Sequence, residues 1–175
     1  MPEIEFFVPG KPQGKARART VRMPNGFTRS FTPDKTVLYE NLIKSRFLEA
    51  EAGQDGIFPF EPGTPVEMVL TAYFKPPVSQ SLKKQRLMLL GEIQPLKKPD
   101  MDNIVKVVAD ALNGLAYHDD TQICSLTATK VYGRGEGLRI LVREYVPTVT
   151  VSDASKTISG VNADTIPGQI SLEML

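Results

Sequence analysis

The chain has 175 residues, of which 41% are hydrophobic and 23% charged, and its formal net charge is +1. That composition suits one globular domain with a full hydrophobic core, and no apolar run approaches the ~20 residues of a membrane span. The single cysteine, Cys124, excludes an internal disulfide, and with only one histidine, His118, the chain is poorly equipped for a zinc centre or a histidine-based triad. The first residues, MPEIEFFVPG, carry no signal-peptide pattern, which together with the lone cysteine points to a reducing, cytoplasmic setting.

In chain order, residues 3–8 (EIEFFV) read as a short strand closed by Pro9-Gly10. Residues 6–33 then hold six basic side chains and no acidic one: Lys11, Lys15, Arg17, Arg19, Arg22 and Arg29. Within it, residues 10–31 (GKPQGKARARTVRMPNGFTRSF) carry glycines, prolines and two phenylalanines and read as a loop or loose hairpin. It is either a solvated basic surface or a phosphate-binding arm, in which Lys11, Lys15, Arg17 and Arg19 are the candidate contacts.

The spacing of Val37, Leu38, Leu42, Ile43, Phe47 and Leu48 predicts a helix over residues 34–52. A Gly/Pro-punctuated loop follows over residues 53–63. Residues 66–74 (VEMVLTAYF) predict a strand ended by Pro76-Pro77. Ser79 is the expected cap of a short basic helix, SQSLKKQRLMLLGE. Beyond an Asp-rich helix, residues 123–132 and 138–145 predict two strands, and the glycine-rich GRGEG between them signals a hairpin. Together these elements predict an α+β fold, a single domain over residues 1–146 with a small mixed β-sheet packed against helices. Residues 147–175 are rich in Ser, Thr, Gly and Pro and are expected to form a polar, flexible tail, with a strand docked by Ile166, Ile170 and Leu172 as the alternative.

The chemistry concentrates in KKPDMDNIVKVVADALNGLAYHDD, residues 97–120, which has five Asp, three Lys and no Glu. Ile104, Val107, Val108, Ala111, Leu112 and Leu115 form one apolar helix face, and Asn113-Gly114 supplies its stop. Pro99 places the helix start near Asp100, whose carboxylate can cap free N–H groups. Asp102 and Lys106 make an i,i+4 pair on the opposite side, with Asn103 and Asp110 expected to flank that stripe. Capping and an ion pair account for one or two carboxylates. They do not account for Asp100, Asp102, Asp119 and Asp120 together. Clustered carboxylates repel one another unless a cation neutralises them, and oxygen-only ligation suits Mg²⁺. For Asp120 to approach the helix, the chain must reverse after Gly114, so that the next strand runs back along the helix. Adjacent residues of an extended strand point oppositely, so only one of Asp119 and Asp120 is expected to face the site.

The string PDMDNIVKVVADALNGLAYHDDTQI resembles the RusA family of Holliday-junction resolvases, in its phage and prophage branch, through P-D-x-D-N-x-x-K, D-A-L and D-D-x-Q at matching spacings. The resemblance implies an Mg²⁺-dependent endodeoxyribonuclease (Mn²⁺ able to substitute), bacterial or phage-encoded, acting as a homodimer on four-way DNA junctions in recombination and repair. By motif it implies that Asp100, Asp102 and Asp120 are metal ligands and that Lys106 is a catalytic or phosphate-contacting lysine. Asn103, Asp110 and Asp119 take supporting positions. A non-catalytic DNA-binding protein would explain the basic arm without the Asp cluster. A D-x-D metal-dependent transferase would need a nucleotide-binding domain that the chain is too short to hold.

Overall fold

The structure, a computed structural model, describes residues 2–53 and 58–147. Among them lie strands β1 (Glu3–Pro9), β2 (Arg19–Arg22), β3 (Thr28–Phe31), β4 (Val66–Phe74), β5 (Ile123–Tyr132) and β6 (Gly137–Glu144), and helices α1 (Asp34–Glu51), α2 (Leu82–Leu89) and α3 (Met101–Leu112). A 3-10 turn, Asp120–Gln122, leads into β5. The fold is α+β: a mixed four-stranded sheet, order β1-β6-β4-β5, and a separate two-stranded ribbon, β2-β3. The expectation of a flexible or docked tail falls on residues 148–175, which lie outside the described residues. No helix among the described residues is long and apolar enough to cross a membrane.

Strict alternation fixes which sheet face is buried. Ile4, Phe6 and Val8 of β1, Val66, Met68, Leu70, Ala72 and Phe74 of β4, and Leu138, Ile140 and Val142 of β6 all point into one core. Against that face pack α1, through Tyr39, Ile43 and Phe47, and α3, through Ile104, Val107, Val108, Ala111 and Leu112. The opposite face carries cross-strand charge pairs, Glu5 with Arg139 and Glu67 with Arg143.

Three expectations are corrected, and the expected loop after α1 adds two side chains to the core. β5 and β6 do not form a hairpin. β5 pairs in parallel with β4, while β6 lies between β4 and β1, antiparallel to both. Residues 133–136 therefore cross over the end of β4, where the Gly133 amide donates to the Phe74 carbonyl at 2.9 Å. A glycine-rich link of that length spans two inter-strand spacings, about 10 Å, as easily as one. On α1 the buried row is Thr36, Tyr39, Ile43 and Phe47, whereas Leu38 is 67% exposed and Val37 and Leu48 are also exposed. Both rows have helical spacing, and only the sheet decides between them. The loop after α1 sends Phe58 and Phe60 into the core, Phe58 edge-on to Phe47 and Phe60 edge-on to Phe58. Finally, Ser81 rather than Ser79 caps α2, accepting from the Lys84 amide.

Phe47 is fully buried and meets Phe6 and Phe58 edge-to-face at 5.8 and 5.6 Å. Phe47→Ala is therefore expected to cost about 3–5 kcal/mol, read as a loss of midpoint in urea unfolding with an unchanged slope.

Candidate active site

α3 runs back along β5, and the two enclose a pocket of about 510 Å³ lined by Asp102, Val105, Lys106, Ala109, Asp110 and Asp120, with Leu126 and Ala128 from the strand. The helix side is a row of four-residue steps. Each such step drifts only about 40° around the axis, so Asp110 continues the Asp102–Lys106 stripe instead of lying off it. This corrects the flanking position expected from sequence.

The chain reverses where expected. Gly114 takes a left-handed φ of 73°, and its amide donates to the Tyr117 carbonyl at 2.8 Å. Beyond this turn the paired aspartates separate. Asp119 accepts from the Thr121 amide at 3.0 Å and forms a capping box with Gln122. Hydrogen bonds from Thr121 hold its carboxyl below the usual range. Asp120 lines the pocket. Gln122 braces this turn from within: its side-chain oxygen accepts from the His118 amide, and its side-chain nitrogen donates to the carbonyls of Glu61 and Thr64. The nearby Tyr117 is buried and donates to the Ala109 carbonyl at 3.0 Å. Burial first, then the charges of Asp120 and Asp110, push its hydroxyl pKa well up.

Asp100 occupies the N-cap position of α3, yet its side chain makes no capping hydrogen bond. The capping role read from sequence is therefore not taken. Asp100 lines a second depression, a groove shared with Asn103, Lys98, Lys11, Arg17, Phe31 and Lys35. Among the described residues no three acidic, histidine or cysteine side chains converge closely enough to hold one ion, so Asp100, Asp102 and Asp120 do not form a preformed cage. Asp102 and Lys106 are exposed and form no ion pair with each other among the described residues. Among the described residues Asp102 accepts only from the Asn103 side chain, Nδ2 to Oδ1 at 3.3 Å.

The basic arm is docked onto this helix. The Lys15 ammonium pairs with Glu40 of α1 at 2.5 Å and with Asp110 of α3 at 2.9 Å. Its backbone amide donates to the Asn103 carbonyl at 2.8 Å. Burial lowers the Lys15 pKa, but hydrogen bonds to Asp110 and Glu40 more than reverse this, so it sits above the ordinary lysine value. The stabilisation from this pairing is thus complete below the unfolded lysine pKa and is lost only as pH rises through the raised one. Lys15, read from sequence as a phosphate contact, has its charge answered inside the fold. Gly14 lies so close that a Cβ there would meet Asn103 Cβ at 2.7 Å and Pro99 Cβ at 3.0 Å.

Sequence reasoning missed Lys130. Its ammonium, on β5, donates to the carbonyls of Lys97 and Pro99 at 2.6 and 2.9 Å, fastening the segment that delivers Asp100 and Asp102. No pattern in β5 signals this, because the contact depends on the strand's return beside α3.

Two outcomes follow from the docked arm. Lys15→Met should cost about 1–3 kcal/mol by leaving two half-buried carboxylates unanswered, measured by thermal melting. Gly14→Ala should release the arm from α3, seen as faster tryptic cleavage at Arg17 and Arg19 with the core melt largely retained.

Two comparisons bear on this geometry. A Bacillus subtilis (strain 168) protein described as "Uncharacterized protein YqaN" is 34% identical over 144 residues, spanning 81% of this chain and 96% of its own. The family model described as "Endodeoxyribonuclease RusA" matches residues 9–143, a span that holds the basic arm, the α3–β5 pocket and two of the four strands of the main sheet, β4 and β5, entire. With the D-x-D start of α3 and the Asp119–Gln122 turn inside that match, the chain belongs to the RusA endodeoxyribonuclease family.

Proposed function

We propose that this protein is a metal-dependent, structure-selective endodeoxyribonuclease that resolves four-way DNA junctions by paired phosphodiester hydrolysis, in DNA recombination and repair. One observation carries the reading: Asp102, Asp120 and Lys106 line one pocket in a RusA family chain, and none is in an ion pair among the described residues. Asp110, in the same pocket, is already answered by Lys15. Unanswered carboxylates on a pocket wall are costly in charge repulsion and favour a cation.

The donor set fits Mg²⁺ or Mn²⁺, since it is all oxygen and these ions keep several water ligands while using one or two carboxylates and substrate phosphate. Asp102 and Asp120 would hold the ion, with Asp100 supplying a further carboxylate from the adjoining groove. When bound, it would polarise the scissile phosphate and acidify a water molecule. Lys106, between the carboxylates on the same stripe, offsets negative charge building on the phosphate oxygens. Asn103 and Asp119 hold the helix start and the Asp120 turn. Lys11 and Arg17, which line the groove, would carry the DNA backbone, with Arg19 as a further phosphate contact of the arm and Lys15 keeping the arm in register. A homodimer would present two such sites to a two-fold junction, giving symmetric cuts.

The test is cleavage of a synthetic four-way junction with and without Mg²⁺, beside linear duplex. Cutting confined to the junction with Mg²⁺ is expected, and EDTA should abolish it. Asp102→Asn and Asp120→Asn should lose cleavage by at least about a hundredfold while native melting and junction binding persist. Asp110→Asn should still cut, because its charge is answered by Lys15. Cutting at the wild-type rate by Asp102→Asn would refute the assignment. Arg17→Ala with Arg19→Ala should reduce the slope of log affinity against log salt by roughly one to two.

A further inference from the structure

The β2–β3 ribbon is built unlike the rest of the fold. Its register pairs Arg19 with Phe31, Thr20 with Ser30, Val21 with Arg29, and Arg22 with Thr28. Cross-strand partners share a face, so Val21, Arg29 and Phe31 occupy one face and the hydroxyl-bearing Thr20, Thr28 and Ser30 the other. The two strands pack extensively only on each other among the described residues, and Val21, Met23, Phe27 and Phe31 are all exposed, Phe27 at 74%. The turn that carries Phe27 is nevertheless well made. Gly26 takes a φ of 83°, the Met23 amide donates to the Phe27 carbonyl at 2.7 Å, and the Phe27 amide donates to Asn25 Oδ1 at 3.2 Å. An aromatic ring is thus held out on a closed, hydrogen-bonded tip where it contributes little to the core.

The ribbon's charge selects what covers it. No acidic residue lies between Phe6 and Pro33, and Arg22 and Arg29 flank the tip. A second ribbon from another copy would set these cations against their own kind. A polyanion that also offers flat apolar faces would satisfy both features. In duplex DNA the base faces are covered by stacking, and they become available where bases unstack. Phe31 also lines the groove that holds Lys11, Arg17, Lys98 and Asp100, so the ribbon's face continues into the depression beside the α3 start.

We propose that the β2–β3 ribbon is a base-contacting element: Phe27 and Phe31 stack on bases unstacked at a DNA branch point, while the flanking arginines hold its phosphates. The proposal rests on the junction-nuclease reading and assigns its structure selectivity to this ribbon.

The experiment places 2-aminopurine at the branch point of a four-way junction, or within one arm as a control, and titrates in full-length protein with EDTA present. Wild type, Phe27→Ala and Phe31→Ala are compared, each checked for native melting, with gel shifts on junction and linear duplex and sedimentation of the free proteins. Wild type should raise fluorescence at the branch point and not in the arm. Phe27→Ala should lose at least half of that rise, and its preference for junction over duplex should fall about tenfold, the effect of one stacked base. Duplex affinity should stay within about threefold, since phosphate contacts dominate it. An undiminished signal and preference in both variants would overturn the proposal, as would a wild type that binds and cuts junctions without any branch-point signal. A change in sedimentation confined to the variants would assign the face to a second copy instead. A wild type that fails to shift the junction at all would refute the function itself, a failure visible before any fluorescence is read.

Discussion

Parallel pairing of β5 with β4 is the constraint on which the rest of the site depends. Two parallel strands cannot be joined by a tight turn, so the chain between Phe74 and Ile123 must travel the length of the sheet and return. α3 occupies the last leg of that journey and must then reverse into the strand. Its polar stripe is consequently laid against the strand's pocket-facing residues, Leu126 and Ala128, and Asp120 is carried to the same pocket by the reversal. An ordinary hairpin between β4 and β5 would have left no helix to carry Asp102 and Lys106.

Within that frame, neutralisation sorts the acidic residues by role. Asp110 meets Lys15, and Asp119 is occupied by Thr121 and the capping box. Asp102 and Asp120 keep free charge on the pocket wall. Two lysines act on the backbone or on other side chains and not on a ligand. Lys130 grips carbonyls ahead of α3, and Lys15 ties the arm to both helices. Gln122 performs a similar service at the other end of the pocket, with an amide that meets four separate backbone positions. The pocket is thus braced by hydrogen bonds at both of its ends.

Much of this was legible in the chain because periodicity and spacing are local signals. The strand over residues 66–74 and the strand over residues 123–132 are found with those bounds, and the apolar row from Ile104 to Leu112 is the buried row of α3. The P-D-x-D-N-x-x-K spacing and the D-D-x-Q step identified the family from about 25 positions. What sequence did not disclose depends on which elements meet in space. GRGEG reads equally as a hairpin turn or as a link across an intervening strand, and only the burial of β6 between two neighbours separates them. Lys15 and Arg17 look alike in a basic run, yet Glu40 and Asp110 lie 25 and 95 residues further along, too far for pattern to reveal that one of them is answered. Lys130 sits in a strand with nothing around it to suggest that its partners are carbonyls some thirty residues earlier.

The sheet order has a consequence for how the chain is made. β6, the last of the described strands, lies in the sheet interior, between the first strand and β4. While the protein emerges from the ribosome, β1 and β4 have no shared neighbour, and their apolar faces wait without a full sheet beneath them. Every element of the pocket leaves the exit tunnel before the strand that joins the two halves of the sheet. The last pairing to form therefore closes chain ends separated by more than a hundred residues, a non-local step of the kind that slows folding. A nascent chain is thereby kept from completing the sheet behind the α3–β5 pocket until its synthesis has passed residue 144.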